Sequence, residues 1–268
     1  MARMIIISFL IFITAVSMSM VGKGGGNFYV VILAIAGVPI HEAATTGQFI
    51  LFLASIAAMI IFQKNKSISW TLALLVGAFT SLSALGGGYF SHEFSGFSLK
   101  ILFASMLLIA GVIMLMPVAE NPSAAKTKHG GIITLKSGSE LYHVNLWIAS
   151  PIMIGTGFAA GMSGVSGGSF LVPLMTSACA VPMHTAVGTA SLFIASTSLM
   201  GFTGHAIQGD FNPSWAAPLA IIAIAGGVLG GKLSLKTKPK PLKKLFAYTN
   251  WFAALLMMIN AFHTKGIQ

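Results

Sequence analysis

The residues of this chain that could bind an anion or carry a proton recur in two sets. The first set is Gly22-Lys23-Gly24-Gly25-Gly26-Asn27, an apolar run, then Val38-Pro39-Ile40-His41-Glu42-Ala43-Ala44-Thr45-Thr46. The second is Val165-Ser166-Gly167-Gly168-Ser169, an apolar run, then Val181-Pro182-Met183-His184-Thr185-Ala186-Val187-Gly188-Thr189. Adding 143 to the first numbers gives the second without a gap, and seven residues coincide over positions 24–47. Glycines let a backbone turn tightly and approach a ligand closely. A helix that starts after them offers unpaired N–H groups and a positive dipole end, which suit an anion. Asn27 and Ser169 are suited to capping such a helix or bonding a substrate. Histidine titrates near physiological pH, so His41 and His184, with Glu42 beside the first, are candidates for relaying a proton.

These residues are embedded in a very apolar chain. Of 268 residues, 56% are hydrophobic and only 7% are charged. A soluble domain carries roughly 25% charged residues, so the composition predicts an integral membrane protein. Apolar runs of about 20 residues mark helices rather than the weak alternation of a membrane barrel. The net charge of +10 comes from 14 lysines and one arginine against five acids. In such a chain this excess is explained by cytoplasmic loops, not by nucleic acid. The lone cysteine, Cys179, excludes an internal disulfide and a cysteine metal cluster. No metal site, cofactor motif, phosphate loop or Ser/His/Asp series is present, so no enzyme is expected. The first 20 residues resemble a signal peptide, but they lack a small-residue cleavage site and are read as a span.

The elements that must position the two sets follow in order. Long helices are expected at 4–21, 43–62, 70–88 and 99–117, with a short segment at 27–38. A polar loop covers 118–143. Long helices recur at 144–162, 184–206, 214–231 and 243–262, with a short segment at 169–181. The organisation is a first repeat at 1–117, a cytoplasmic linker at 118–143 and a second repeat at 144–268. The offset persists beyond the motif, through Gly87/Gly230, Lys100/Lys243 and Phe103/Phe246.

If each short segment crosses the membrane, every repeat has five crossings and the second is inverted. Twelve of the fifteen cationic residues then face the cytoplasm, with Arg3, Lys100 and Lys265 outside. If the segments only dip in, the split is seven against eight, and the six lysines of 232–244 fall outside. The positive-inside rule favours inversion. The fold class expected is therefore all-α integral membrane, with two inverted repeats, each of four long helices plus one short interrupted segment. Trp70, Trp147, Trp215 and Trp251 fall near expected span ends, as an aromatic belt requires. His205, His92 and Glu93 are read as interfacial.

Paired short, glycine-interrupted segments in two halves point to a transporter's binding site. The candidate substrate-binding residues are Lys23, Gly24, Gly25, Gly26, Asn27, Thr46, Ser166, Gly167, Gly168, Ser169 and Thr189. The candidate proton-coupling residues are His41, Glu42 and His184. Plainer readings exist for each. The glycines could serve close helix packing. Lys23 could snorkel to the cytoplasmic surface. The threonine hydroxyls could bond only the preceding carbonyls, and the histidines could cap helix starts.

The stretch Gly164-Val165-Ser166-Gly167-Gly168-Ser169-Phe170-Leu171-Val172-Pro173, with Ala186-Val187-Gly188-Thr189-Ala190-Ser191, resembles the signature of the TauE/SafE family. Copy two fits that pattern well. Copy one departs from it, with Val30 and Val31 where copy two has Pro173 and Leu174. The resemblance extends over essentially the whole chain. It implies a multi-pass permease of the bacterial inner membrane for sulfite, sulfonates or related organosulfur anions. No ATP-binding motif is present, so a proton or substrate gradient is the expected drive. A passive anion channel is the first alternative. A non-transport membrane subunit, docking a partner through Lys232–Lys244, is the second. Anionic membrane lipid is the more natural partner for that stretch. A homo-oligomer is compatible with the sequence.

Overall fold

The computed structural model describes residues 2–116, 132–137, 140–164, 167–177, 181–209 and 211–265. Among the described residues, ten α-helices carry the fold. The first five are α1 (Ala2–Met20), α2 (Gly26–Ile35), α3 (Ile40–Lys64), α4 (Trp70–Tyr89) and α5 (Gly96–Leu115). The second five are α6 (Leu146–Ser163), α7 (Gly168–Ser177), α8 (Met183–Ile207), α9 (Pro213–Lys236) and α10 (Pro239–Lys265). Among the described residues, six helices (α1, α3, α4, α8, α9 and α10) are long and apolar enough to cross a membrane. The two short helices have ten residues each. At 1.5 Å per residue they rise only about 15 Å, half of a bilayer core.

Part of the expected polar loop is ordered as a hairpin. Strands β1 (Ile132–Ser137) and β2 (Glu140–Asn145) pair antiparallel, from Ile132 opposite Asn145 to Ser137 opposite Glu140. The Ile132-Ile133-Thr134 and Tyr142-His143-Val144 runs are rich in β-branched and aromatic residues, which favour a pleated chain. Residues 118–131 lie outside the described residues.

The helices of the two halves interlock. Helix α4 packs between α6 and α8, and α9 packs between α1 and α3. Adding 143 converts one arrangement into the other. The contacts set the directions. Gly157 meets Thr80 and Gly161 meets Ala84, so α4 and α6 run the same way. Gly226 meets Ala15 and Gly230 meets Ser19, so α1 and α9 do too. The equivalent helices α3 and α8 run in opposite directions, with Gln48 against Gly201 near one end and Phe62 against Gly188 near the other. Small residues at these crossings bring backbones into contact, which is how helices associate where lipid removes the hydrophobic drive. Helices α5 and α10 pack on each other, and they reach α7 and α2 respectively. The remaining six long helices form the centre.

Candidate functional site

Helix α1 ends in a turn built from glycine. Gly22, Gly24 and Gly25 take φ of 73°, 66° and 101°, values that side chains with a Cβ rarely adopt. The amide of Lys23 closes the turn on the Met18 carbonyl at 3.0 Å. Gly25 is the N-cap of α2, with no side-chain cap. The Tyr29 hydroxyl, one turn in, donates to the Gly24 carbonyl at 2.8 Å and pins the turn. The expectation that Asn27 and Ser169 cap their helices is corrected. Both follow the first helical residue, Gly26 or Gly168, and the cap of α2 belongs to a glycine because φ there is positive.

Gly164 takes φ 73° and lies on the backbone of Ala44, while Gly22 lies on the backbone of Val187. Ala44 and Val187 are equivalent positions at the start of α3 and α8. The starts of α2 and α7 then converge. Gly24 lies against Leu51, Ser55 and Ile194, and Gly168 lies against Ile194 and the Gly22 carbonyl. Leu51 and Ile194 are again equivalent, and each sits near the middle of its helix. The two half-helices therefore begin together at the centre of the α3–α8 pair, and their N-terminal dipole ends face a shared point.

Ser55 Oγ, against Gly24, is buried without a hydrogen-bond partner, as are Thr46 Oγ1 and Gln48 Oε1 nearer the start of α3. The other end of the Gln48 amide donates to the Ala160 carbonyl at 2.9 Å. Gly167, Gly168 and Ser169 are buried. Ser166 and the side chain of Asn27 lie outside the described residues. Thr189, in contrast, accepts from the Ser69 amide at 3.0 Å and so ties α8 to the α3–α4 loop.

Lys23 is almost fully enclosed, at 1% exposure, which removes the snorkelling reading. Its ammonium turns to α10. It donates to the Phe246 carbonyl at 2.7 Å and to Thr249 Oγ1 at 2.8 Å, and stands 4.1 Å from the centre of the Phe246 ring. Among the described residues it has no carboxylate partner.

The candidate proton carriers are not brought together. His41 and Glu42 are half-buried at the start of α3, and His184 is half-buried at the start of α8. Because these helices are antiparallel, His184 stands at the opposite end of the pair from His41. The N-cap positions belong to Pro39 and Pro182, so neither histidine caps its helix.

Two expectations fail outside the centre. His205 is not interfacial but fully buried, with Nε2 2.7 Å from the Gly161 carbonyl and Nδ1 3.3 Å from Ser91 Oγ. Trp251 lies in the middle of α10, packed on Gly111 with its indole N–H donating to the Leu108 carbonyl at 3.3 Å, rather than at a span end. Gln48, buried on α3 with its amide oxygen unpartnered, was not singled out in the sequence. The signal available was an uncharged amide inside an apolar span, which is costly unless used. Among the described residues, no group of three or more His, Cys, Asp or Glu could hold a metal.

A bundle of long apolar helices with two half-length helices meeting at its centre defines a multi-pass membrane protein. Residues 7–257 match the sulfite exporter TauE/SafE family, and the chain belongs to that family. Its relatives are named as membrane transporters rather than enzymes. The probable membrane transporter protein YunE of Bacillus subtilis is 24% identical over 83% of this chain and 85% of its own length. The probable membrane transporter protein MJ0441 of Methanocaldococcus jannaschii is 25% identical over 92% of both chains. YdhB of Bacillus subtilis, also a probable membrane transporter protein, is 30% identical over 42% of this chain. No solved structure matches the chain.

Proposed function

We propose that this protein is a secondary carrier of a small anion, a sulfite, sulfonate or related organosulfur anion, across the bacterial inner membrane. The observation that carries the reading is Lys23. A buried ammonium without a carboxylate is costly in a membrane interior. It stands in the turn that leads into α2, whose start lies beside that of α7, and both starts are positive dipole ends. An anion held between the two starts would supply a counter-charge to them and to Lys23. The contacts to the anion come from the first-turn amides of α2 and α7 and from the Ser55 and Thr46 hydroxyls. Lys23 contributes its field and anchors the turn to α10.

The antiparallel run of α3 and α8, with the lysine distribution, supports inverted repeats. In that arrangement α2 and α7 enter from opposite faces. Alternating access follows from motion of α2, α5, α7 and α10 against the six central helices. Protons provide the drive, with His41 and Glu42 near one face and His184 near the other. Lys232–Lys244 rests on anionic lipid.

The test is Lys23→Met in proteoliposomes. Uptake of radiolabelled sulfite is expected to fall at least tenfold while the purified protein stays monodisperse. Wild-type flux that saturates supports a carrier; flux that never saturates points to a passive channel.

A further inference from the structure

The apolar surface of the first repeat is left open where α2 lies beside α1. A groove of about 360 Å³ runs between the two helices, lined by Ile6, Ile7 and Leu10 of α1 and by Ile32 and Ile35 of α2. Ligand sites occupy about 300–1,000 Å³. Arg3, at the start of α1, is the one charged residue that lines the groove among the described residues.

The second repeat closes the equivalent surface. Ile6 and Leu10 are 60% and 43% exposed, whereas Ala149 and Met153, their equivalents 143 positions later, are 6% and 2% exposed. Ile32 is half-buried, and its equivalent Met175 is buried. The charge is equally one-sided, because Leu146 stands where the first repeat has Arg3. The open groove and the arginine therefore occur together, in one repeat only.

Arg3 is not used by the protein itself. A Cβ on Gly37 would lie 3.2 Å from Arg3 Nη2, so the guanidinium is laid against the turn that ends α2. A snorkelling side chain would extend away from the chain instead. Nor does Arg3 cap α2. The carbonyls of Ile32, Leu33 and Ala34 are taken by the amides of Ala36, Val38 and Gly37. Among the described residues Arg3 makes no hydrogen bond or ion pair. A planar guanidinium offers paired donors that match a phosphate, and the start of α1 adds a positive dipole end.

We infer that the α1–α2 groove binds one anionic phospholipid, with an acyl chain along Ile6, Leu10, Ile32 and Ile35 and the phosphate on Arg3. Apolar walls that end at one cation between membrane helices match the two parts of such a lipid. The site lies against the half-helix that starts at the central point, but it does not depend on what the protein carries.

The test is native mass spectrometry of the full chain in detergent, titrated with phosphatidylglycerol or with phosphatidylcholine of the same acyl chains. Lysine-rich stretches also attract lipid, so the readout is the lipid that a variant loses. The wild type is expected to hold one phosphatidylglycerol more than Arg3→Gln, and one more than Leu10→Trp, which fills the groove. Ile221→Trp, exposed on α9, is expected to hold as many as the wild type. Arg3→Gln is expected to weaken that one lipid about tenfold, the loss of a charge-assisted pair. Phosphatidylcholine is expected to be held no better by the wild type than by Arg3→Gln. Arg3 and Leu10 are both exposed, so these variants leave the core intact. Phosphatidylglycerol binding by either variant that equals the wild type overturns the site. So does a dimer without the extra lipid that Leu10→Trp dissociates, because a second copy then covers the groove. Lipid is counted without transport, so loss of this site leaves the carrier reading intact, and loss of the carrier reading leaves the site.

Discussion

At the residue scale, stability and function separate at Ser55 and Lys23. Ser55 Oγ is buried beside Gly24 with no partner in the protein. Ser55→Ala therefore removes an unsatisfied group, and its folding cost is expected within about 0.5 kcal/mol. Substrate affinity is nonetheless expected to fall several-fold. A thermal-shift assay beside a sulfite saturation curve checks both halves of this statement. Thr249→Val behaves differently, because the hydroxyl takes one of the Lys23 donors at 2.8 Å. Loss of a hydrogen bond to a buried charge costs about 1.5–3 kcal/mol, so the melting temperature in detergent is expected to drop measurably. The presence of Lys23 in a glycine cluster was legible in the sequence. Its direction was not, because its acceptors are 223 and 226 residues away. The same is true of His205, whose partner carbonyl belongs to a helix 44 residues earlier. Hydropathy places such residues along a span but says nothing about which neighbour they meet.

At the element scale, the two half-helices depend on their glycine turns. Gly25 takes φ 101°, and a Cβ there would lie 2.6 Å from the Tyr29 ring. Gly25→Ala thus meets both backbone strain and a clash, and is expected to destabilise by at least about 1–2 kcal/mol and to abolish uptake. Gly209 has φ 87° but open space around it, so Gly209→Ala isolates the strain term. It is expected to lower the melting temperature slightly and to leave uptake intact. Thermal unfolding and sulfite uptake, run on both variants, make the comparison. Helix positions were largely legible, because apolar runs between glycine, proline and lysine breaks have only one regular solution in lipid. The hairpin at Ile132–Asn145 was not, since a stretch judged by its polar surroundings reads as a loop although its own residues favour strand.

At the scale of the whole molecule, the 143-residue repeat anticipated which helices would correspond, while the inverted sense of the two halves, which the lysines favour, belongs to the proposal. What the sequence could not supply was the interlock, in which α4 and α9 each pack between helices of the other half. That depends on glycine surfaces whose partners are far apart along the chain, such as Gly161 on Ala84 and Gly227 on Ala54. Inversion makes a direct prediction. An impermeant thiol reagent applied to intact cells is expected to label a cysteine at Glu93 and not one at Lys238; labelling of Lys238→Cys from outside contradicts the inverted arrangement. Coupling makes another. Glu42→Gln is expected to flatten the dependence of sulfite uptake on an imposed pH gradient, and unchanged dependence removes Glu42 from the proton path.

The central claim is that two half-helix starts and one buried lysine bind a small anion for transport. It is tested most directly by flux of sulfite, taurine and sulfoacetate into proteoliposomes, with and without a pH gradient, for the wild type and Lys23→Met side by side. The account predicts saturable uptake of at least one of the three by the wild type and a loss of at least tenfold in the variant. Saturable uptake that Lys23→Met leaves unchanged, or no uptake of any of the three, contradicts it.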